Sequence, residues 1–283
     1  MHMTDYFSLR KVIIATQHKK EEVMAPLLTQ ELGLDCIVSA TTNTDQFGTF
    51  TGEIKRMDDD ITTARKKCLM ALELCNCDMA IASEGSFGPH PALPFMPADT
   101  ELILLLDIKN NFEIFCRHIS ANTNFRGEQI NQETELMAFA NQVLFPSHAL
   151  ILRPSKDIYT ECYKGIKNES ELKTLFNYLR QRYGSVYVET DMRAMHNPTR
   201  MKVIEAATQK LIEKIKSLCP ICKTPGFSIQ TMLPGLQCAL CGAETNSIRE
   251  HHYNCVKCQH KKIVPYPNNK FHEDPMFCNQ CNP

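Results

Sequence analysis

The 283-residue sequence has no run of eighteen or more apolar residues, which excludes a membrane-spanning helix of ordinary length. Its first ten residues lack the basic, apolar and small-residue regions of a secretory signal. Its formal net charge is only -1, so no long-range field draws it to nucleic acid or to an anionic membrane. Low-complexity linkers are absent. No C-x-x-C pair occurs before Cys219, and the other cysteines (Cys36, Cys68, Cys75, Cys77, Cys116, Cys162) are scattered through apolar segments. A disulfide framework would look different; clustered thiolates on metal and scattered buried thiols fit reduced cytoplasm, the expected location. With 43% hydrophobic residues the chain can bury an ordinary core, divided among two or three domains.

Lys11 to Thr16 is a β-branched run, and Glu21 to Leu32 follows it with helical spacing, a β-α opening. Cys36 to Ala40, Met79 to Ser83, Ala149 to Arg153 and Ser185 to Glu189 read as further strands, and Thr62 to Cys75, Glu133 to Val143 and Glu169 to Tyr183 as helices. Glu101 to Ile108 and Phe112 to Ile119 flank Lys109-Asn110-Asn111 as an antiparallel hairpin. Asn197 before Pro198 predicts an N-cap and first-turn proline for a helix running toward Ser217. The fold class expected is α/β, a mixed central sheet flanked by helices over residues 1–215, followed by two small zinc ribbons at 216–247 and 248–283.

Four C-x-x-C pairs fill those last residues. Sequential pairing, the simplest, makes one quartet of Cys219, Cys222, Cys238 and Cys241, with a gap of fifteen residues, and another of Cys255, Cys258, Cys278 and Cys281, with a gap of nineteen. Two residues between thiolates let one tight turn aim both sulfurs at a single ion, and gaps of this length allow a hairpin to bring up the second turn, as at tetrahedral structural zinc. Redox dithiols and iron-sulfur ligation are the alternatives; the first pair could also cross to the last, or His251, His252, His260 or His272 replace a cysteine. From Cys219 onward there are six Lys and Arg against four Asp and Glu. Two Zn(Cys)4 centres, each adding two negative charges, would leave the tail acidic, which argues against nucleic acid as a partner.

Four polar clusters lie where strands end, the usual place for ligands in α/β sheets. Ala15 to Glu22 joins a strand to a helix N-terminus, where free amides and Lys19 or Lys20 could hold phosphate; without glycines it is not a P-loop. Thr44-Asp45-Gln46-Phe47-Gly48, with Glu53, is the second. Ser83 to His90 is read as a glycine-containing loop in which Glu84 suits Mg2+. Glu189 to Arg200 brings Arg193, His196 and Arg200 to a strand-helix junction fit to grip an anion.

Taken together, KVIIAT, TDQFG, ASEGSFGPHP, ETDMRAMHNPTRM and the cysteine tail resemble an uncharacterised bacterial family covering essentially the whole chain. More distantly, the first two hundred residues resemble the inosine/xanthosine triphosphate pyrophosphatases: Thr16 with Lys20 and Glu22, Asp45-Gln46, the acidic helix start Asp59-Asp60 leading to Ala64-Arg65, Glu84-Gly85, and Thr199-Arg200. Thr63 and Phe47 depart from that pattern, and the tail is foreign to those enzymes. The resemblance implies a Mg2+-dependent hydrolase of noncanonical purine triphosphates, with Glu84 and Asp59 or Asp60 as catalytic metal-holding carboxylates and Thr16, Lys20, Asp45, Gln46, Arg193, His196 and Arg200 on the substrate. The alternative is a noncatalytic nucleotide- or anion-binding protein whose ribbons dock a partner protein.

Overall fold

A computed structural model describes residues 6–38 and 58–283. The described residues form two compact units, one over Phe7–Ile212 and one comprising Glu213–Pro283 with Tyr6. Among the described residues no helix is long and apolar enough to cross a membrane.

The larger unit contains two sheets. The first has strand order β2-β1-β3-β4-β5, from β1 (Lys11–Ala15), β2 (Asp35–Val38), β3 (Met79–His90), β4 (Leu93–Asp107) and β5 (Phe112–Ser120). Strand β1 pairs in parallel with both β2 and β3, while β3-β4 and β4-β5 are antiparallel, so the sheet is mixed, as expected. Helix α1 (Glu21–Leu32) makes the crossover from β1 to β2. Helix α2 (Asp60–Glu73) lays Ala64, Cys68 and Ala71 on the face formed by Ile13, Ala15, Ala80, Ala82, Leu102 and Leu104. Small side chains on both sides let helix and sheet approach closely.

Strands Leu150–Arg153 and Val186–Thr190 do not extend this sheet. They belong to a second, wholly antiparallel one, β6-β9-β7-β8, made of β6 (Gly127–Ile130), β7 (Leu150–Arg153), β8 (Tyr163–Ile166) and β9 (Val186–Thr190). Helices α3 (Glu133–Gln142) and α4 (Glu169–Tyr183) bury Leu136, Phe139, Leu172, Phe176 and Leu179 against Leu150, Leu152, Val186 and Val188. Each sheet therefore has its own apolar core. Helix α5 (Pro198–Lys216) begins as anticipated: the Asn197 side chain accepts a hydrogen bond from the Arg200 amide at 2.9 Å.

The segment read as a loop after Ser83 is strand. β3 and β4 run as a long two-stranded ribbon out to Pro89 opposite Pro97. The glycines that suggested a loop have another purpose. A Cβ on Gly85 would lie 2.3 Å from Arg200 Nη2 and 2.6 Å from Glu101 Oε1, so the absent side chain makes room for an ion pair lying across the strand.

In the smaller unit, β10 (Ser228–Pro234), β11 (Ile248–Asn254) and β12 (Lys261–Pro265) form an antiparallel meander. Ser228 lies opposite Asn254, and Pro234 opposite Ile248. This register sets the cysteine pairing.

Candidate functional site

The eight cysteines form two quartets, and the quartets interleave. Cys219 and Cys222 meet Cys255 and Cys258; Cys238 and Cys241 meet Cys278 and Cys281, the sulfurs of each group all within 4.8 Å. Sequential pairing is thus incorrect, and the 247/248 boundary drawn between two ribbons runs through both quartets. The cause is the hairpin: β11 returns alongside β10 and brings Cys255 back to the end where Cys222 stands, while the Cys238-Cys241 turn is left at the opposite end. Sulfur-sulfur separations of 3.6, 3.5, 3.8 and 3.6 Å link Cys219 to Cys258, Cys222 to Cys255, Cys238 to Cys281 and Cys241 to Cys278. A disulfide would need about 2 Å. Four sulfurs about 2.3 Å from a common centre stand roughly 3.8 Å apart along a tetrahedron's edges, so the spacing suits a metal ion such as zinc.

The amides of Leu240 and Cys258 donate to the sulfurs of Cys238 and Cys255, as tight knuckle turns permit. No histidine replaces a cysteine in either quartet. His260 stacks on Phe227, which packs beside Cys219 and Cys255, and His252 bonds Glu250.

The polar residues of the larger unit gather where β1 ends. β1 stops pairing with β3 at Ala15-Ala82, and the uncovered stretch of β3 beyond receives Lys20, whose ammonium donates to Ser83 Oγ at 2.9 Å. Lys20 is buried, and burial followed by the nearby Arg200 charge lowers its pKa to about 8. Glu101 and Glu84 oppose this shift and Lys67 adds to it, so Lys20 lies near groups on both faces of the β3-β4 ribbon. On the α2 face, Lys67 Nζ stands 2.5 Å from Glu84 Oε1. On the other, Arg200 Nε donates to Glu101 Oε1 at 2.7 Å and its guanidinium lies 5.1 Å from the centre of the Phe87 ring.

Asp99 stands two residues from Glu101 on the same face of β4. Both are wholly buried. Burial first, then the Glu101 charge, pushes Asp99 up to about 8, because two adjacent carboxylates out of water cannot both ionise readily. His18 is pushed down to about 3 by burial, Lys20, Arg200 and Arg193 in that order, which places it at the same cluster.

The structure thus brings Thr16, Lys20, Glu84, Arg193 and Arg200 to one region. Thr16 Oγ1 is buried there and accepts the His18 amide at 3.4 Å. The Arg193 guanidinium donates to the Asp191 carboxylate at 3.0, 3.2 and 2.6 Å and lines a cavity with Phe87, Phe125, Ile151, Thr190 and Met192. The rings of Phe87 and Phe125 stack with centroids 5.5 Å apart. Other expected residues are placed elsewhere. Asp59 caps α2 by accepting the amides of Ile61 and Thr62, and Asp60 pairs with Arg117 at 2.7 Å, two helical turns from Lys67. His196 lies against Gly165 of β8. Asp45 and Gln46 lie outside the described residues.

Sequence reasoning missed Lys67, Asp99 and Glu101. A signal was present: Lys67 interrupts the Ala64-Cys68-Ala71 stripe of α2, and Asp99 and Glu101 continue the alternation of Ile103 and Leu105, all buried. Charges at inward positions indicate partners or a function.

Residues 67–283 match the family described as a domain of unknown function (DUF6671), and the chain belongs to that family. No curated protein matches it, and the likeness to pyrophosphatases rests on the quoted residues alone.

Proposed function

We propose that this family member is a phosphoanhydride hydrolase acting on nucleoside triphosphates, noncanonical purine ones included, with a tail held together by two structural zinc ions. One observation carries the reading: three buried cations, Lys20, Lys67 and Arg200, cluster with Glu84, Asp99 and Glu101 at the carboxyl end of β1. The three cations equal the three carboxylates in number, and a divalent cation held among them would leave the cluster positive. An anion would complete such a site, and phosphate oxygens suit the donors of Lys20, Arg193 and Arg200. Charge developing on a phosphoryl group during attack by water would meet these fixed cations in a dry environment, where they act most strongly.

Magnesium, when bound, would lower the pKa of a coordinated water and screen the phosphates. The carboxylates first expected to hold it do not fit: Glu84 is engaged by Lys67, Asp60 by Arg117 and Asp59 by helix amides. Asp99 and Glu101, by contrast, keep buried oxygens that no other side chain or backbone amide reaches among the described residues.

The test is phosphate and pyrophosphate release from a panel of canonical and noncanonical nucleoside triphosphates, with magnesium and with chelator. Selective release should appear with magnesium, and Lys20→Met should reduce it by about 10²–10³-fold, the usual scale for one charge-stabilising donor. No release from any member would overturn the hydrolase. Saturable binding without release would instead favour a nucleotide- or anion-binding protein. Exposed Ile221 and Val256, on the two turns of one quartet, favour that second reading as apolar surface that a protein partner could cover.

For the tail, elemental analysis should find two zinc per chain. Iron, or no metal, would remove the zinc assignment. Structural zinc contributes on the order of 10 kcal/mol in small modules, a large share of the stability of so short a unit.

A further inference from the structure

Buried carboxylate oxygens normally have donors. Arg10 shows the pattern here, reaching Asp107 at 2.6 and 3.0 Å and Asp78 at 2.7 Å. Eight residues back along β4, the pattern fails. Both carboxylate oxygens of Asp99 and Oε2 of Glu101 are buried without any donor among the described residues, although both side chains are fully enclosed. A proton shared between the two carboxyl groups would join one oxygen of each and still leave an Asp99 oxygen buried with no partner, which is costly unless something absent from the protein chain satisfies it. In register across β3, Glu101 faces Gly85, over which the Arg200 guanidinium and Glu101 Oε1 lie, and Asp99 faces Phe87, which is turned toward Arg200 and Phe125, so Glu101 Oε2 and both Asp99 oxygens are the atoms left for an ion.

We propose that Asp99 and Glu101 form a site for a hard divalent cation, magnesium or manganese. Oxygen-only donors suit these ions and not zinc, which favours sulfur and nitrogen. Two carboxylates match magnesium's habit of keeping several waters and sharing the rest of its sphere with substrate phosphates. Arg200 and Lys20 face the same carboxylates and oppose the ion, so occupancy of the free protein is modest and an anion bound to those cations strengthens it. The site deepens the hydrolase reading by naming where its metal sits, and its binding test does not depend on turnover.

The experiment uses the full zinc-loaded chain without nucleotide and Mn2+ as the probe, free Mn2+ being counted by electron paramagnetic resonance. Wild type should bind one Mn2+ per chain, displaced by Mg2+. Asp99→Asn should weaken binding at least tenfold. Glu101→Gln, which keeps a side-chain oxygen for Arg200, should do the same and serves if the first variant fails to fold. Asp59→Asn, which preserves the helix cap, should bind as wild type does. No Mn2+ binding by wild type up to millimolar concentration, or undiminished binding by both cluster variants, overturns the site. Mn2+ binding with no phosphate release from any nucleotide supports the site and overturns only the hydrolase.

Discussion

Gly85 and His18 show how much of the cluster depends on single side chains. Gly85→Ala would drive a methyl group into Arg200 and Glu101, neither of which can retreat from full burial. A loss of about 1–3 kcal/mol is expected, the usual cost of overpacking, read as a lower urea midpoint with unchanged slope. Glu101→Ala should cost more, about 3–5 kcal/mol, because it leaves the Arg200 charge buried without its carboxylate. His18 makes a prediction in pH. Its folded pKa of about 3 lies below the ordinary imidazole value of 6.5, so the native state holds the ring neutral. The stability this contributes is complete above about pH 6.5 and is lost as pH falls toward 3. His18→Gln should flatten that part of the stability profile. Equal slopes in urea titrations of both proteins between pH 6.5 and 4 would place His18 in water.

Elements were readable where their causes are local. The start of α5 is encoded by Asn197 and Pro198 side by side, and Asn197→Ala should lower stability by about 1 kcal/mol through loss of the cap bond, measurable by denaturation. The β4-β5 hairpin was likewise legible from two apolar runs around Lys109-Asn110-Asn111. β3 was cut short because Gly85, Gly88 and four prolines imitate loop chemistry, whereas Gly85 answers to Arg200, a residue more than a hundred positions away. Asp99 and Glu101 escaped notice for a similar reason: Glu101 and its partner Arg200 are 99 residues apart. The division into two sheets was hidden too, since β6 and β8 are only four residues each. That Thr16, Lys20, Arg193 and Arg200 lie in one region was legible because strand ends and helix starts mark themselves in sequence. Asp59 was misread because an acidic residue at a helix start serves as a cap as readily as a ligand.

At the scale of the whole tail, the eight ligands were legible and their partition was not. C-x-x-C pairs are chemically alike, and only the β10-β11 register distinguishes sequential from alternating assignment. Alternation couples the two centres, because each quartet closes a loop that carries half of the other. Cys255→Ser, in the first quartet, should therefore reduce bound zinc below the single ion that independent sites would retain, as counted by elemental analysis. The same arrangement bears on what happens if the backbone is cut. Cleavage in the 242–254 stretch separates Cys219, Cys222, Cys238 and Cys241 from Cys255, Cys258, Cys278 and Cys281, yet each ion still grips one pair from either fragment. A nicked tail should migrate as one species in native electrophoresis and fall into two pieces once a chelator is added, the metals acting as rivets across a severed chain.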